Sequence, residues 1–360
     1  MTGATRFLQD ILRQPAEMRR SVEHLTGPVS GNLEKATSLI RTAEHVFVTG
    51  IGASWNAGLC AGAIFDLGGR PIFMREAGEL LHLTAIQKES VIIALSRSGR
   101  SIEIVQLLGK AAEHKIPLIG ITNSPDSPLA RDAQVAIVVP TLLDHAISVN
   151  AYSTVLIAAG ALAASVTGDF LPIADHLCRT IEQSADAIKS WRNDIEASHW
   201  LAPGVPYYFL ARGASLGTGY EARLLWEEGV KMPATAMTTS AFRHGPQEVV
   251  RNGLRVCMWI DQTQMRDQDL AVASDLRELG AKVMLVGENL DKDAADLLCL
   301  LPPSPPRWQF VVDVLPIQLA AERLARISGV DCDTFRICSY IVEDEYGLLR
   351  KKTEASPNAD

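Results

Sequence analysis

Basic charge is in short supply: 34 lysines and arginines face 42 aspartates and glutamates, a formal net charge of -8. That balance excludes a general nucleic-acid binder. Paired cysteines are missing as well. The six present (Cys60, Cys178, Cys257, Cys299, Cys332, Cys338) show no CxxC spacing. Neither a metal centre nor a disulfide framework is expected, and a reducing cytoplasm fits. The longest apolar run, residues 155–166, has 12 residues, where a membrane span needs about 20. It reads as a buried alanine-rich helix. The start, MTGATRFLQDILRQ, lacks a signal-type apolar stretch and carries Asp10. Nucleotide signatures are wanting too. No GxxxxGK[ST] occurs, and in TGIGASWNAG Trp55 stands where a dinucleotide fingerprint needs its third glycine. The sequence therefore calls for no cofactor, metal, nucleic acid or membrane.

What is present is an alternation. At 360 residues the chain can form two domains with cores of their own. Helical spacing fills the first forty-odd residues, with Pro15 expected to interrupt it. Strands near 46–48 and 71–74 then alternate with helices near 57–67 and 78–85. VIIALS at 91–96 is apolar on both faces, as an interior parallel strand is. A helix at 102–114 follows, then PLIGITN and AIVVP. Such alternation predicts an α/β fold with parallel sheets flanked by helices. The second half repeats the plan. Gly213, Ala214, Ser215 and Gly219 match Gly52, Ala53, Ser54 and Gly58 at one offset, 161, which suggests duplication of one domain. The expected boundaries are a helical segment 1–34, domains 35–185 and 195–345, and a fraying polar tail 346–360. The helical stretch 173–195 is expected to link the halves.

One turn concentrates hydrogen-bonding capacity. In ALSRSGRSIEIV, three serines and two arginines surround Gly99 after an apolar strand. Helix N-termini favour anions, and Ser96, Ser98 and Ser101 add hydroxyl donors, so the turn has the makings of a phosphate cradle. A plain serine turn with an N-cap uses the same residues. Ser54 sits on a comparable turn, and Asn56 either joins it or caps a helix.

The turns GAS (52–54) and SRSGRS (96–101), SPLAR, EARLLWEE, FRHGP and the ending GVDCDTFR together resemble the sugar isomerase (SIS) domain family. Within it, they are similar to the isomerase half of glucosamine-6-phosphate synthase. The resemblance covers roughly residues 35–345 and implies two tandem flavodoxin-like domains, a homodimer, and a sugar-phosphate substrate. It implies that Ser54, Ser96, Ser98 and Ser101 hold the phosphate and that Ser148 lies on the sugar side. Ala53, Arg97, Glu221 and Tyr340 complete the expected substrate-binding set. Arg97 replaces a glutamine common in the family.

The chemistry rests on two residues. Read as a helix, EARLLWEEGVKMP puts Glu221, Leu225 and Glu228 on one face. A carboxylate in a partly dry pocket has a raised pKa and suits proton transfer; composition alone favours a solvated Glu227–Glu228 pair. The resemblance assigns Glu228 the proton shuttle between C1 and C2. It assigns His244 ring opening, reached from the partner subunit; without it, such a histidine is more often structural. Leu225 and Tyr340 stand where the family has lysines, so no imine through lysine is expected. With Met1-Thr2 and no N-terminal cysteine nucleophile, glutamine-dependent synthesis is not expected of this chain. Aldose–ketose isomerisation and amine loss from an amino-sugar phosphate (deglycase or deaminase) share the remaining step. A non-catalytic sugar-phosphate sensor is the competing class, although no helix-turn-helix segment is evident.

Overall fold

The computed structural model describes residues 4–348. The chain begins with α1 (Arg6–Thr26), capped by the Thr5 hydroxyl, and α2 (Ser30–Thr42). α1 does not break at Pro15, which is buried within it. The proline costs one backbone hydrogen bond, but burial of Phe7, Ile11, Met18, Val22 and Leu25 holds the helix together across it.

Apolar runs buried on both faces become the interior strands, and shorter, partly exposed segments become the edges. The first sheet uses β1 (His45–Thr49), then, after α3 (Ala53–Leu67), β2 (Phe73–Met74), β3 (Ser90–Leu95) and, after α4 (Ile102–Glu113), β4 (Leu118–Thr122). The short α5 (Pro128–Asp132) leads to β5 (Val135–Val138). Every pairing is parallel, in the order β2-β1-β3-β4-β5. The helix expected near 78–85 is only a single wide π turn, Glu79–Leu83.

α6 (Asn150–Thr167) and α7 (Leu171–Ala197) connect the halves. α6 is long and apolar enough to cross a membrane by composition, yet 89% of it is buried inside the protein. The expected linker is a packed element. α7 buries Leu177, Ile181, Ile188, Trp191 and Ile195, and the Trp191 indole donates to Leu300 O at 3.0 Å.

The second sheet comprises β6 (Tyr207–Ala211), followed by α8 (Ser215–Leu225); β7 (Thr235–Thr238) and the one-turn α9 (Thr239–Phe242); β8 (Arg255–Trp259) and α10 (Arg266–Glu278); β9 (Lys282–Gly287); and β10 (Leu297–Leu300). α11 (Leu315–Ile327) closes it. Its order, β10-β9-β8-β6-β7, is that of the first sheet counted from the other edge. Both sheets thus have the flavodoxin-like 2-1-3-4-5 order. Gly52 and Gly213, 161 residues apart, share a left-handed φ of +55° and +52°.

The halves meet closely. A Cβ on Gly217 of α8 would lie 2.4 Å from both Asn56 O and Cys60 Sγ of α3. One continuous apolar core runs through α1, α3, α6, α7, β6 and α11.

Candidate active site

In a sheet of order 2-1-3-4-5, the connections after strands 1 and 3 leave toward opposite faces, opening a crevice at their carboxyl ends. The turn after β1 brings Ala53 and Ser54 there, and the turn after β3 brings Ser96, Arg97, Ser98 and Ser101. All border one cavity of about 170 Å³, together with Ser148 and Glu228. Residues from five separate stretches of chain converge on it.

The serine turn is both a local motif and a donor array. Ser96 Oγ accepts the Gly99 N–H at 3.0 Å, and Ser98 Oγ accepts the Arg100 N–H at 3.2 Å. Accepting these bonds leaves each hydroxyl hydrogen for a ligand. Ser101, at the N-cap of α4, makes no capping bond. Gly99 has φ +59°, and a Cβ there would fall 2.3 Å from Ser127 Oγ. Ser127, from SPLAR, therefore shapes the turn and caps α5 through Ala130 N–H.

The helix expected over EARLLWEEGVKMP changes character halfway. After Leu225 it widens into a π turn, Trp226–Val230, and ends at Lys231 with φ +59°. Trp226 is anchored in an aromatic cluster with Trp200, Tyr207 and Phe209. Beyond that anchor, Glu228 borders the cavity while Leu225 is wholly buried. Single-turn π bulges are frequent at functional sites. Burial pushes the Glu228 carboxyl up to about 7, against the opposing pull of Arg97 and Lys231. It is thus shared between acid and base forms at neutral pH.

Glu221 takes a different place. It is 1% exposed and lies behind the cavity wall, where the Asn56 side-chain amide donates to it at 2.9 Å. Burial, with the nearby Glu228 charge, raises it to about 8. Asn56 thus neither borders the cavity nor caps α3: it holds Glu221.

A further wall comes from the segment after α11, where only Tyr340 was expected to meet substrate. Phe335, Cys338, Ser339, Ile341 and Val342 border the cavity too. Arg97 donates to Tyr340 O at 2.7 Å and lies 3.9 Å over its ring. The Tyr340 hydroxyl donates to Asp144 O at 3.3 Å, and the Ile102 N–H, at the start of α4, to Val342 O at 3.1 Å. The irregular, partly polar run after GVDCDTFR offers no periodicity that would have placed these residues.

His244 is exposed on the turn after α9 and does not border the cavity of its own chain. His82 faces Glu345 at 3.0 Å, and His145 faces Arg6. Lys231 donates to Thr334 O at 2.9 Å and to Glu228 O, and borders an adjoining groove. Burial lowers its pKa. Lys351 and Lys352, and most of the expected tail, lie outside the described residues. Among the described residues, no cluster of side chains could hold a metal ion.

The fold and the crevice define an α/β protein with tandem open sheets, each of flavodoxin-like order, and a serine-lined cleft. Residues 39–165 form a SIS domain by match to that family's model, and over 91% of its length the chain is homologous to the isomerase portion of glutamine–fructose-6-phosphate aminotransferase. The Pyrobaculum aerophilum enzyme of that name, marked isomerizing, is 23% identical over 342 residues, covering 91% of this chain and 55% of its own. The chain spans about half the length of the curated relatives it matches. Among solved structures, the C-terminal domain of glucosamine-fructose-6-phosphate aminotransferase from Francisella tularensis superposes with a TM-score of 0.81 and 21% identity, covering 92% of this chain and 98% of that one. Glucosamine-6-phosphate deaminase from Thermotoga maritima superposes with a TM-score of 0.78 and 22% identity, covering 94% and 99%.

Proposed function

We propose that the protein is an enzyme that binds a sugar phosphate in the serine cavity and moves a proton between C1 and C2 of its open-chain form. One observation carries the reading: Glu228, its carboxyl near 7, borders the same cavity as the serine turn. Ser54, Ser96, Ser98 and Ser101 would donate to the phosphate, and Arg97 would add a cation beside it. Charge-assisted bonds of this kind are the strong ones. With the phosphate held at the serine turn, Glu228 takes the proton from one carbon and returns it to its neighbour through an enediol or enolamine. The outcome is aldose–ketose isomerisation, or, when the substrate is an amino-sugar phosphate, an imine that water hydrolyses to the carbonyl with release of the amine. The named relatives cover both chemistries.

His244 is then supplied by a second copy of the chain, to open the sugar ring. Among the described residues no lysine borders the serine cavity, which supports an intermediate that stays free of the protein. Glutamine is not the proposed nitrogen donor. The test is a panel of fructose 6-phosphate, glucose 6-phosphate and glucosamine 6-phosphate in deuterated water. Deuterium at C1 or C2 of product supports the reading, and ammonia release marks the deaminase branch. Tight binding with neither turnover nor exchange would make the protein a sensor.

A further inference from the structure

The second sheet has its own switch point, between β6 and β8, and a cavity of about 190 Å³ lies there. It matches the first cavity in size, about 170 Å³, and in place. Strand register aligns the two. Thr49 pairs with Ala94, and Leu210, 161 residues after Thr49, pairs with Met258. Counting on from these, Ile260, Asp261, Gln262 and Met265 occupy the positions of Ser96, Arg97, Ser98 and Ser101. All three serines of the cradle are gone and its arginine is replaced by an acid.

That acid fills the anion position itself. Asp261 Oδ2 accepts the N–H groups of Thr263, Gln264 and Met265 at 3.2, 2.7 and 2.9 Å. Two cations also border the cavity. Arg212 is paired with buried Asp269 at 2.6 Å, and Arg307 is a cation on the same wall as the Asp261 carboxylate. Two cations set against two carboxylates leave the wall no net positive charge to draw a phosphate.

Two polar atoms nevertheless lack partners. Gln309 lines the cavity and is 5% exposed; its amide nitrogen reaches Ser215 Oγ and Ile260 O, while Oε1 has no donor. Arg212 also lines the cavity, with Nη2 unpartnered. Buried polar atoms without partners are uncommon. A hydroxyl group can satisfy both, since it donates and accepts. Ile64, Leu67 and Phe310 supply apolar surface beside them. We propose that the cavity at the β6/β8 switch point is a second ligand site, and that it takes an uncharged, hydroxyl-bearing sugar, not a sugar phosphate.

Ligand-observed saturation-transfer NMR with D-glucose tests this on the full chain. The glucose signal should persist in excess inorganic phosphate and in the Ser98→Ala/Ser101→Ala variant, which separates this site from the proposed catalytic one. It should weaken roughly tenfold in Gln309→Leu, the loss expected for one buried hydrogen bond. Ala214→Phe, which fills the cavity from a partly exposed position, should abolish it even if Gln309→Leu folds poorly. In Asp261→Ala, inorganic phosphate should begin to displace glucose. No glucose signal in the wild-type protein, or a signal unchanged by Ala214→Phe, overturns the site. Displacement of glucose by phosphate in the wild-type protein overturns its selectivity.

Discussion

Glu228 carries the most chemical weight of any single residue. Its carboxyl near 7 results from burial, partly offset by Arg97 and Lys231. If it acts as the base, turnover rises with pH as the carboxylate forms, with its midpoint near 7. Glu228→Gln should keep phosphosugar affinity and lose about 10²–10⁴ in kcat, the usual contribution of a positioned base. Steady-state kinetics beside calorimetry read both. Arg97→Gln removes a cation that holds the acid form in check. The rising limb of the pH–kcat profile should then move to higher pH, and a shift to lower pH would remove Arg97 from the electrostatics of the site. The same substitution frees Tyr340 from its guanidinium contact, so KM should rise as well.

Among the elements, the β3–α4 turn is the most constrained. Its shape depends on Gly99 at φ +59° with Ser127 pressed against it. Gly99→Ala should destabilise the protein by about 1–3 kcal/mol, the range for a strained non-glycine residue, and weaken phosphosugar binding with it. Ser98→Ala/Ser101→Ala adds no backbone strain but removes two donors and, at Ser98, the acceptor of the Arg100 N–H. Its binding loss should be a few kcal/mol, since each charged hydrogen bond contributes roughly 1.5–3 kcal/mol. Equal affinity in calorimetry would reduce the turn to the local serine motif that its Gly99 and Arg100 bonds already form. The π turn after α8 shows a different constraint. A uniform helix puts Glu221 and Glu228 on one face, whereas the anchored Trp226 leaves one behind the wall and one on it.

At the scale of the whole molecule, three buried carboxyls hold protons, among them Asp313, which accepts from the Ser215 and Thr218 hydroxyls. Glu221 is raised to about 8, and Glu228 and Asp313 to about 7, all chiefly by burial. Their unfolded values lie near 4, so between about pH 4 and 8 these three groups bind more protons in the folded protein than in the unfolded one. Stability contributed by these groups is therefore full at the acidic end and falls as pH rises. Denaturant unfolding at pH 5 and pH 8 should show that decline, and Glu221→Gln should flatten it. Assembly belongs to this scale too. If His244 serves a neighbouring copy, mixing Glu228→Gln with His244→Ala under subunit exchange should restore part of the lost activity. Verified heterodimers without recovery would separate His244 from catalysis.

The strands, their parallel packing and the serine turn were legible along the chain because each is local. Double-faced apolar runs mark interior strands, and a serine-rich turn around a left-handed glycine marks itself. The 161-residue offset likewise anticipated the matching conformations of Gly52 and Gly213. Tertiary structure decided the rest. Pro15 stays within α1 because packing of the buried face holds the helix across the missing hydrogen bond. The stretch around α7 is part of the core because its apolar stripe meets neighbours from both halves. Asn56 meets Glu221 only because Gly217 lets two helices touch. The wall from Phe335 to Val342 exists only where the chain returns to the first sheet. Spacing encodes what neighbours in sequence do to one another, whereas burial, and the pKa of Glu228 with it, depends on residues that only folding brings near.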